Sequence, residues 1–372
     1  MIRKLRLVAL LAGWAAIAAC TGAAPSTPTS TPTPSASPTA THTPPPTATA
    51  TPTATATQTP KPTSFLNEAP TLTPDGSAGS SPSSEPITLR VQLQTGETYR
   101  IQLLTRQQIV QNLEGQQFET VQTLGIQYSY GVTEVDSEGN TWMDLLYERV
   151  ILEQDTVLGE VKYDSADPPA EIPPEAQGLS ALVGLGFSLR MSPRGEVLET
   201  RGEDELVEQM IAALQVSDPA AREQMEATLR QQYGGEGLEN QLRDTVVEFP
   251  EAPLRVGDSW SITTETFALT TLTVEATYTL RGFDEQTARI DVRSSFTTAD
   301  SMEMLDFGLF QIGYVLAGVQ EGTMLVNLQT GLSDIQLHQD LNGEMTIAAE
   351  DEQLTVPLTA QGVFQVRVVE QD

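Results

Sequence analysis

Beyond residue 86 the chain alternates between apolar and polar side chains. Ile87, Leu89, Val91 and Leu93 are interleaved with Thr88, Arg90 and Gln92. Leu124, Ile126, Tyr128, Tyr130 and Val132 alternate with Gly125, Gln127, Ser129 and Gly131. Leu272, Val274, Ala276, Tyr278 and Leu280 alternate with Thr273, Glu275, Thr277 and Thr279. Successive side chains of a strand point to opposite faces, so each run describes a strand with one buried face. Clusters such as Asp136-Ser137-Glu138-Gly139-Asn140 and Leu341-Asn342-Gly343-Glu344 read as turns between them.

The middle of the chain follows a different period. Leu206, Val207, Met210, Ile211 and Leu214 have helical spacing behind the acidic first turn Glu203-Asp204-Glu205. Asp218-Pro219 reads as an N-cap followed by proline at the first helical position. Met225, Leu229 and Tyr233 continue the stripe until Gly234-Gly235, and Leu238, Leu242 and Val246 suggest a third short helix. Pro250 and Pro253 end the pattern.

The β-rich stretches on either side share markers in the same order. Gly96-Glu97-Thr98-Tyr99-Arg100-Ile101 matches Gly257-Asp258-Ser259-Trp260-Ser261-Ile262. Tyr130 to Asp136 matches Tyr278 to Asp284, and Leu189–Gly195 matches Leu325–Gly331. The expected fold is α+β and β-dominated. It is an antiparallel curved sheet, half-barrel or barrel, built from two related β-rich halves with a helical insert of two to three helices. The halves fall at 87–200 and 251–372, with the insert at 201–250.

Charge and composition narrow the chemistry. The chain carries 50 acidic against 20 basic residues, a net charge of −30. Such a field repels nucleic acid and anionic lipid surfaces, so neither is an expected partner. The single cysteine, Cys20, precedes the domain and leaves it without disulfides or thiol chemistry. No Gly-x-Ser-x-Gly elbow, phosphate loop or His-Glu-x-x-His helix occurs. His338, the only histidine beyond residue 86, alternates with Ile335 and Leu337 onto a polar face and has no second histidine in the domain to share a metal, since His42 lies in the Thr/Pro-rich stretch. Asp136, Glu138 and Asn140 offer oxygens, but the loop lacks the length of an EF-hand and reads as a polar turn. We expect no catalytic residues, no metal, no cofactor and no enzymatic activity. Trp142 and Trp260, on strands, read as core.

The suggestive segments are apolar. Phe307-Gly308-Leu309-Phe310-Gln311-Ile312-Gly313-Tyr314-Val315-Leu316-Ala317-Gly318 and Leu182-Val183-Gly184-Leu185-Gly186-Phe187 are hydrophobic on both faces and carry several glycines. The plain reading is a strand buried on both sides beneath the helices. The functional reading is a cavity wall in which glycines let a ligand reach the backbone, with Leu185, Phe187, Phe307, Phe310 and Tyr314 as its lining.

The N-terminus addresses location. Arg3, Lys4 and Arg6 precede the apolar run Leu7–Ala19, which is shorter than the about 20 residues of a spanning helix and reads as a signal peptide over 1–19. Ile17-Ala18-Ala19-Cys20 resembles the bacterial lipobox. That resemblance implies acylation of Cys20 and cleavage before it. Residues 20–86 then form a tether rich in Thr, Pro, Ala and Ser, too poor in apolar side chains to fold. Fully extended at about 3.1 Å per residue it reaches on the order of 200 Å.

Gly96-Glu97-Thr98-Tyr99, Val256-Gly257-Asp258-Ser259-Trp260 and the lipobox together resemble a family of bacterial lipoprotein domains of unknown function. The plan is similar, more loosely, to lipoprotein carriers of the lipoprotein-localisation and mycobacterial lipid-transfer type. That resemblance implies a half-barrel with helices over its concave face and acyl chains bound there. The favoured expectation is a lipid-anchored, extracytoplasmic binding module, held at the cell or outer membrane through acyl chains on Cys20. Its domain faces away from the cytoplasm and holds an apolar molecule or lipid between sheet and helices. The alternative is a structural or protein-interaction domain on a stalk, its partner unnamed. A carboxylate-based hydrolase ranks last, because so many acids leave no pair singled out.

Overall fold

The alternating runs become strands β1 (Thr98–Leu113), β2 (Gln116–Val135), β3 (Thr141–Thr156), β4 (Gly159–Asp164), β5 (Gly186–Met191), β6 (Val197–Arg201), β7 (Ser259–Phe267), β8 (Thr271–Phe283), β9 (Thr287–Thr298), β10 (Met304–Asp306), β11 (Gln311–Asn327), β12 (Ser333–Ala349) and β13 (Glu352–Val369). The computed structural model describes residues 85–369, except 114, 158, 215–218, 236–237, 239–241, 243–246, 268–269, 299–301, 303, 307–309 and 350–351. The signal segment, Cys20 and the tether lie outside the described residues.

All these strands join one antiparallel sheet in the order β6-β5-β3-β2-β1-β13-β12-β11-β9-β8-β7, with β4 paired to β3 and β10 to β11. The order contains the same unit twice. β6-β5-β3-β2-β1 and β12-β11-β9-β8-β7 repeat one another in sequence and in adjacency, and β13 joins them by pairing β1 on one side and β12 on the other.

Hydrogen bonds repeat with the topology. Gly96 N–H donates to Val132 O and Val132 N–H to Glu97 O; Gly257 N–H donates to Leu280 O and Leu280 N–H to Asp258 O. Gly96 and Gly257 have φ of 90° and 96°, which glycine adopts without the steric cost borne by other residues. A bulge follows at equivalent positions, between Val132 and Glu134 and between Leu280 and Gly282. The turn after it is closed by Asp136 Oδ1, which accepts from Glu138 and Asn140 N–H, and by Asp284 Oδ1, which accepts from Gln286 and Thr287 N–H.

The insert supplies a second layer over part of the sheet. A helical turn, α1 (Gln177–Ser180), precedes α2 (Glu203–Leu214) and α3 (Pro219–Tyr233). Leu206, Val207, Met210 and Ile211 of α2 and Leu229 and Tyr233 of α3 are buried, as helical spacing predicts. Arg230 ties α3 to α2 by donating to Asp204 Oδ1 at 2.8 Å. Leu238 and Leu242 are helical and buried, while Val246 and Asp218 lie outside the described residues.

Three local expectations change. Ile87 to Leu93 is not a ladder strand. Leu89, Val91 and Leu93 are buried as the alternation requires, but the backbone runs as a strap across the turns of both repeats. Val91 N–H donates to Pro193 O, Gln92 N–H to Thr330 O, and Ile87 exchanges two bonds with Leu254. Leu341–Glu344 is not a turn, because β12 runs straight through it. Gly343 pairs with Leu316, whose Cδ2 lies 2.9 Å from where a Cβ would stand. Leu182–Gly184 is a turn rather than a strand: Gly184 N–H donates to Tyr147 O, and β5 begins only at Gly186.

Candidate ligand-binding face

Period two places one face of this sheet inward, and its apolar residues form two clusters. The first gathers Leu124, Tyr128 and Tyr130 of β2, Leu189 of β5, Ile290 of β9, Met324 of β11 and Ile335 of β12 beneath α2, α3 and the strap. Tyr128 meets Tyr130 edge-on at 5.3 Å and Tyr147 at 6.3 Å. Burial pushes the Tyr130, Tyr147 and Tyr233 hydroxyls well above their ordinary pKa, so these phenols stay neutral. A cavity of about 50 Å³ remains there, lined by Val91, Tyr128, Tyr130, Phe249 and Ile335 among others. Ligand sites typically measure about 300–1,000 Å³. Beneath the strap, therefore, that cavity leaves room only on the scale of water, and the helix residues Leu206, Val207, Met210 and Leu229 are themselves buried in the cluster.

The second cluster occupies the other end of the long strands. It consists of Ile109 and Leu113 of β1, Leu272 of β8, Phe296 of β9, Ile312, Tyr314 and Leu316 of β11, Leu341, Met345 and Ile347 of β12, and Val356, Leu358 and Ala360 of β13. All its members sit on strands, and no described residue of α1, α2, α3 or the strap belongs to it. Burial pushes the Tyr314 hydroxyl upward too.

The expected cavity lining divides between the clusters. Phe187 is buried in the first and Leu185 packs against it; Tyr314 is buried in the second and Phe310 packs against it; Phe307 lies outside the described residues. None of the four described residues lines the 50 Å³ cavity. Two further expectations are revised. β11 is not buried on both sides, because Val315 and Val319 are 45% and 48% exposed on its outer face. Its glycines do not open the backbone: the Phe296 ring lies over Gly318, its Cζ 2.2 Å from where a Cβ would stand. Large side chains thus fill the space the glycines leave.

Between the first cluster and the far end of β1–β3 runs a polar patch that sequence reasoning missed. Gln107, Gln111, Thr120, Gln122, Gln154 and Thr156 are buried, all on the inward set of positions. Gln107 pairs with Gln122, and Gln122 with Gln154, so three amides stand side by side. The signal was present as a break in the alternation, where glutamine occupies positions that Ile109 and Leu124 continue on either side.

The remaining polar features are closed structural contacts. Asp136 accepts from Asn140 Nδ2 and from Arg190 at 2.6 Å, which holds its carboxyl well below the usual carboxylate range. Those donors occupy the oxygens that a cation would need. His338 is exposed on the outer face of β12. Trp142 is covered by the Arg201 guanidinium at 3.9 Å, and Trp260 stacks on Tyr278 at 5.0 Å and donates to Glu248 O. Burial raises the Asp334 carboxyl, but its partners are Val368 N–H and Arg367 rather than a second acid. Among the described residues no group of three His, Cys, Asp or Glu side chains is placed to hold a metal.

A family model described as a family of unknown function (DUF6263) matches residues 138–333, from the β2–β3 turn through the insert to the start of β12. A search of curated proteins finds no match. Among solved structures, one titled for lipid–protein interactions in lipovitellin is similar at 8% identity with a TM-score of 0.40, over 74% of this chain. This chain spans 25% of that one. An outer membrane channel from Pseudomonas putida F1 aligns at 10% identity and a TM-score of 0.20, over 78% of this chain and 100% of the channel. At these scores neither likeness bears on what this chain does.

Proposed function

The chain belongs to DUF6263, a family of unknown function, and we propose that it is a lipid-anchored binding module whose inner sheet face holds an acyl-type apolar ligand. The observation that carries this reading is the second cluster. An apolar sheet face requires another layer against it. For the first cluster that layer is α2, α3 and the strap; the second is buried to 8% exposure or less with no described helix or strap in it, so side chains of the strands themselves close over it. An acyl chain is of the right chemistry to part those side chains and lie against Ile312, Leu316, Met345 and Leu358, each 4% exposed or less. The ligand thus sits beyond the helices rather than beneath them, where the core is packed.

The N-terminal sequence gives the setting. Cys20 carries the acyl anchor, residues 21–86 form the tether, and the acidic domain stands off an anionic surface on the outer side of the membrane. Mass spectrometry of the membrane-bound protein is expected to find residues 1–19 removed and an acyl increment on Cys20; an unmodified Cys20 would contradict the anchor. Native mass spectrometry of the protein taken from its own membranes tests the ligand. A mass increment matching an acyl lipid, removed by organic extraction, is expected. A clean apo mass contradicts the binding reading and leaves the partner-binding alternative in its place.

A further inference from the structure

Resting on the reading that the inner face holds an acyl chain, we propose that the amide patch on β1–β3 is the subsite for the ligand's head group, and that this head group is neutral and bears hydroxyls. The patch adjoins the apolar cluster on the same face. Gln107 of β1 is paired with Gly362 of β13, and the Gln107 side chain fills the space over that glycine. Beyond Gly362 the row continues as Gln339 and Gln320, then Ser294. A line of uncharged polar groups thus crosses the sheet, broadest on β1–β3.

Two amides in this line are incomplete. Gln122 and Gln154 are 3% and 5% exposed, and neither Oε1 has a hydrogen-bond partner among the described residues. An unpaired buried acceptor is costly, and native proteins leave few of them. The cost is not inherent in paired amides on this sheet, since Gln320 Nε2 donates to Gln339 Oε1 at 3.1 Å. Two adjacent acceptors without donors call for a ligand that donates, and hydroxyls do so.

Charge sets the rest of the chemistry. Glu119, Glu153 and Asp155 alternate to the opposite face, where Glu119 accepts from Gln108. No Lys, Arg or His stands on the inward positions of β1–β3 around the patch, so a carboxylate or phosphate head finds no counter-charge. No acid stands there either, so an ammonium head finds none. A glycerol or sugar head on one acyl chain satisfies both the patch and the cluster.

The test compares monooleoylglycerol, methyl oleate and oleate, which share a chain and differ in the head, by calorimetric titration of the delipidated full chain. Monooleoylglycerol is expected to bind about tenfold more tightly than methyl oleate, the worth of one to two neutral hydrogen bonds. In Gln122→Leu/Gln154→Leu that advantage disappears while methyl oleate binding stays. The double variant removes unpaired polar atoms, so its urea midpoint is expected to hold or rise; if it does not fold, Gln154→Met alone carries the comparison. Equal binding of monooleoylglycerol and methyl oleate overturns the inference and leaves the acyl reading standing, with the two amides holding only buried water. Preferred binding of oleate overturns it as well. Binding of none of the three overturns the acyl reading itself.

Discussion

Replacing Gly331 by alanine probes how the strap locks the two repeats together. Gly331 closes the β11–β12 turn with φ of 77° and donates to Asn327 O at 2.7 Å. A Cβ there would stand 2.2 Å from Arg90 O and 2.6 Å from Val91 Cα. Both are backbone atoms and cannot rotate aside, so the strap must lift from the turn. The left-handed conformation costs an alanine about 1–2 kcal/mol. Lifting the strap forfeits the Gln92-to-Thr330 bond and strains the Val91-to-Pro193 bond, at about 1 kcal/mol each. Gly331→Ala should therefore cost about 3–4 kcal/mol. Gly96→Ala is the control. Gly96 has a similar φ of 90° with nothing within 4 Å of where a Cβ would stand, so it incurs the conformational cost alone, about 1–2 kcal/mol. Urea denaturation of the full chain, fitted by linear extrapolation, measures both. Equal losses in the two variants would refute the packing of the strap against the turn.

Other outcomes follow from burial and charge. Met210→Ala, at a fully buried position of α2, is expected to cost about 2–5 kcal/mol, whereas Val315→Ala, at an exposed position of β11, stays within about 0.5 kcal/mol by the same urea assay. Burial raises the Asp334 carboxyl above its unfolded value, so its ionisation opposes folding above the folded pKa and that cost fades as pH falls. Asp334→Asn keeps an acceptor for Val368 N–H, so the urea midpoint should rise at pH 7 and the gain should shrink in acid; a fall at pH 7 counts against this. Arg149 donates to both oxygens of Asp164 and lowers its pKa, so this stabilisation is complete above about pH 4 and lost as pH falls through the folded value. Asp164→Asn should flatten that part of the acid limb of midpoint against pH.

The strands and the duplication were legible because period two and turn chemistry are local. Tyr99 and Trp260, each two residues into a strand after a glycine turn, locate the same element in both repeats, and the hydrogen bonds of Gly96 and Gly257 repeat accordingly. Local pattern failed where the partner was remote. Leu89 and Val91 alternate like a strand, yet the strap's backbone donors, at Val91 and Gln92, reach turns of two different repeats. Asn342-Gly343 has turn composition, but Leu316 on the neighbouring strand fills the glycine's space and keeps β12 extended. The same limit hid the amide patch. Gln107, Gln122 and Gln154 are far apart in sequence, and only the register of β1, β2 and β3 brings them into one row. Glycine-rich apolar sequence suggested an open wall, whereas Phe296 occupies the space over Gly318.

The central claim is that the acyl chain lies against the second cluster and not under the helices. Photo-crosslinking of the full chain with a fatty acyl probe carrying a diazirine in mid-chain, followed by peptide mapping, tests it directly. Labelling is expected on the inward residues of β11 to β13, around Tyr314, Met345 and Leu358, and to be competed by unlabelled lipid. Labelling concentrated on α2 or on the strap at Val91, or no competed labelling at all, would contradict the account.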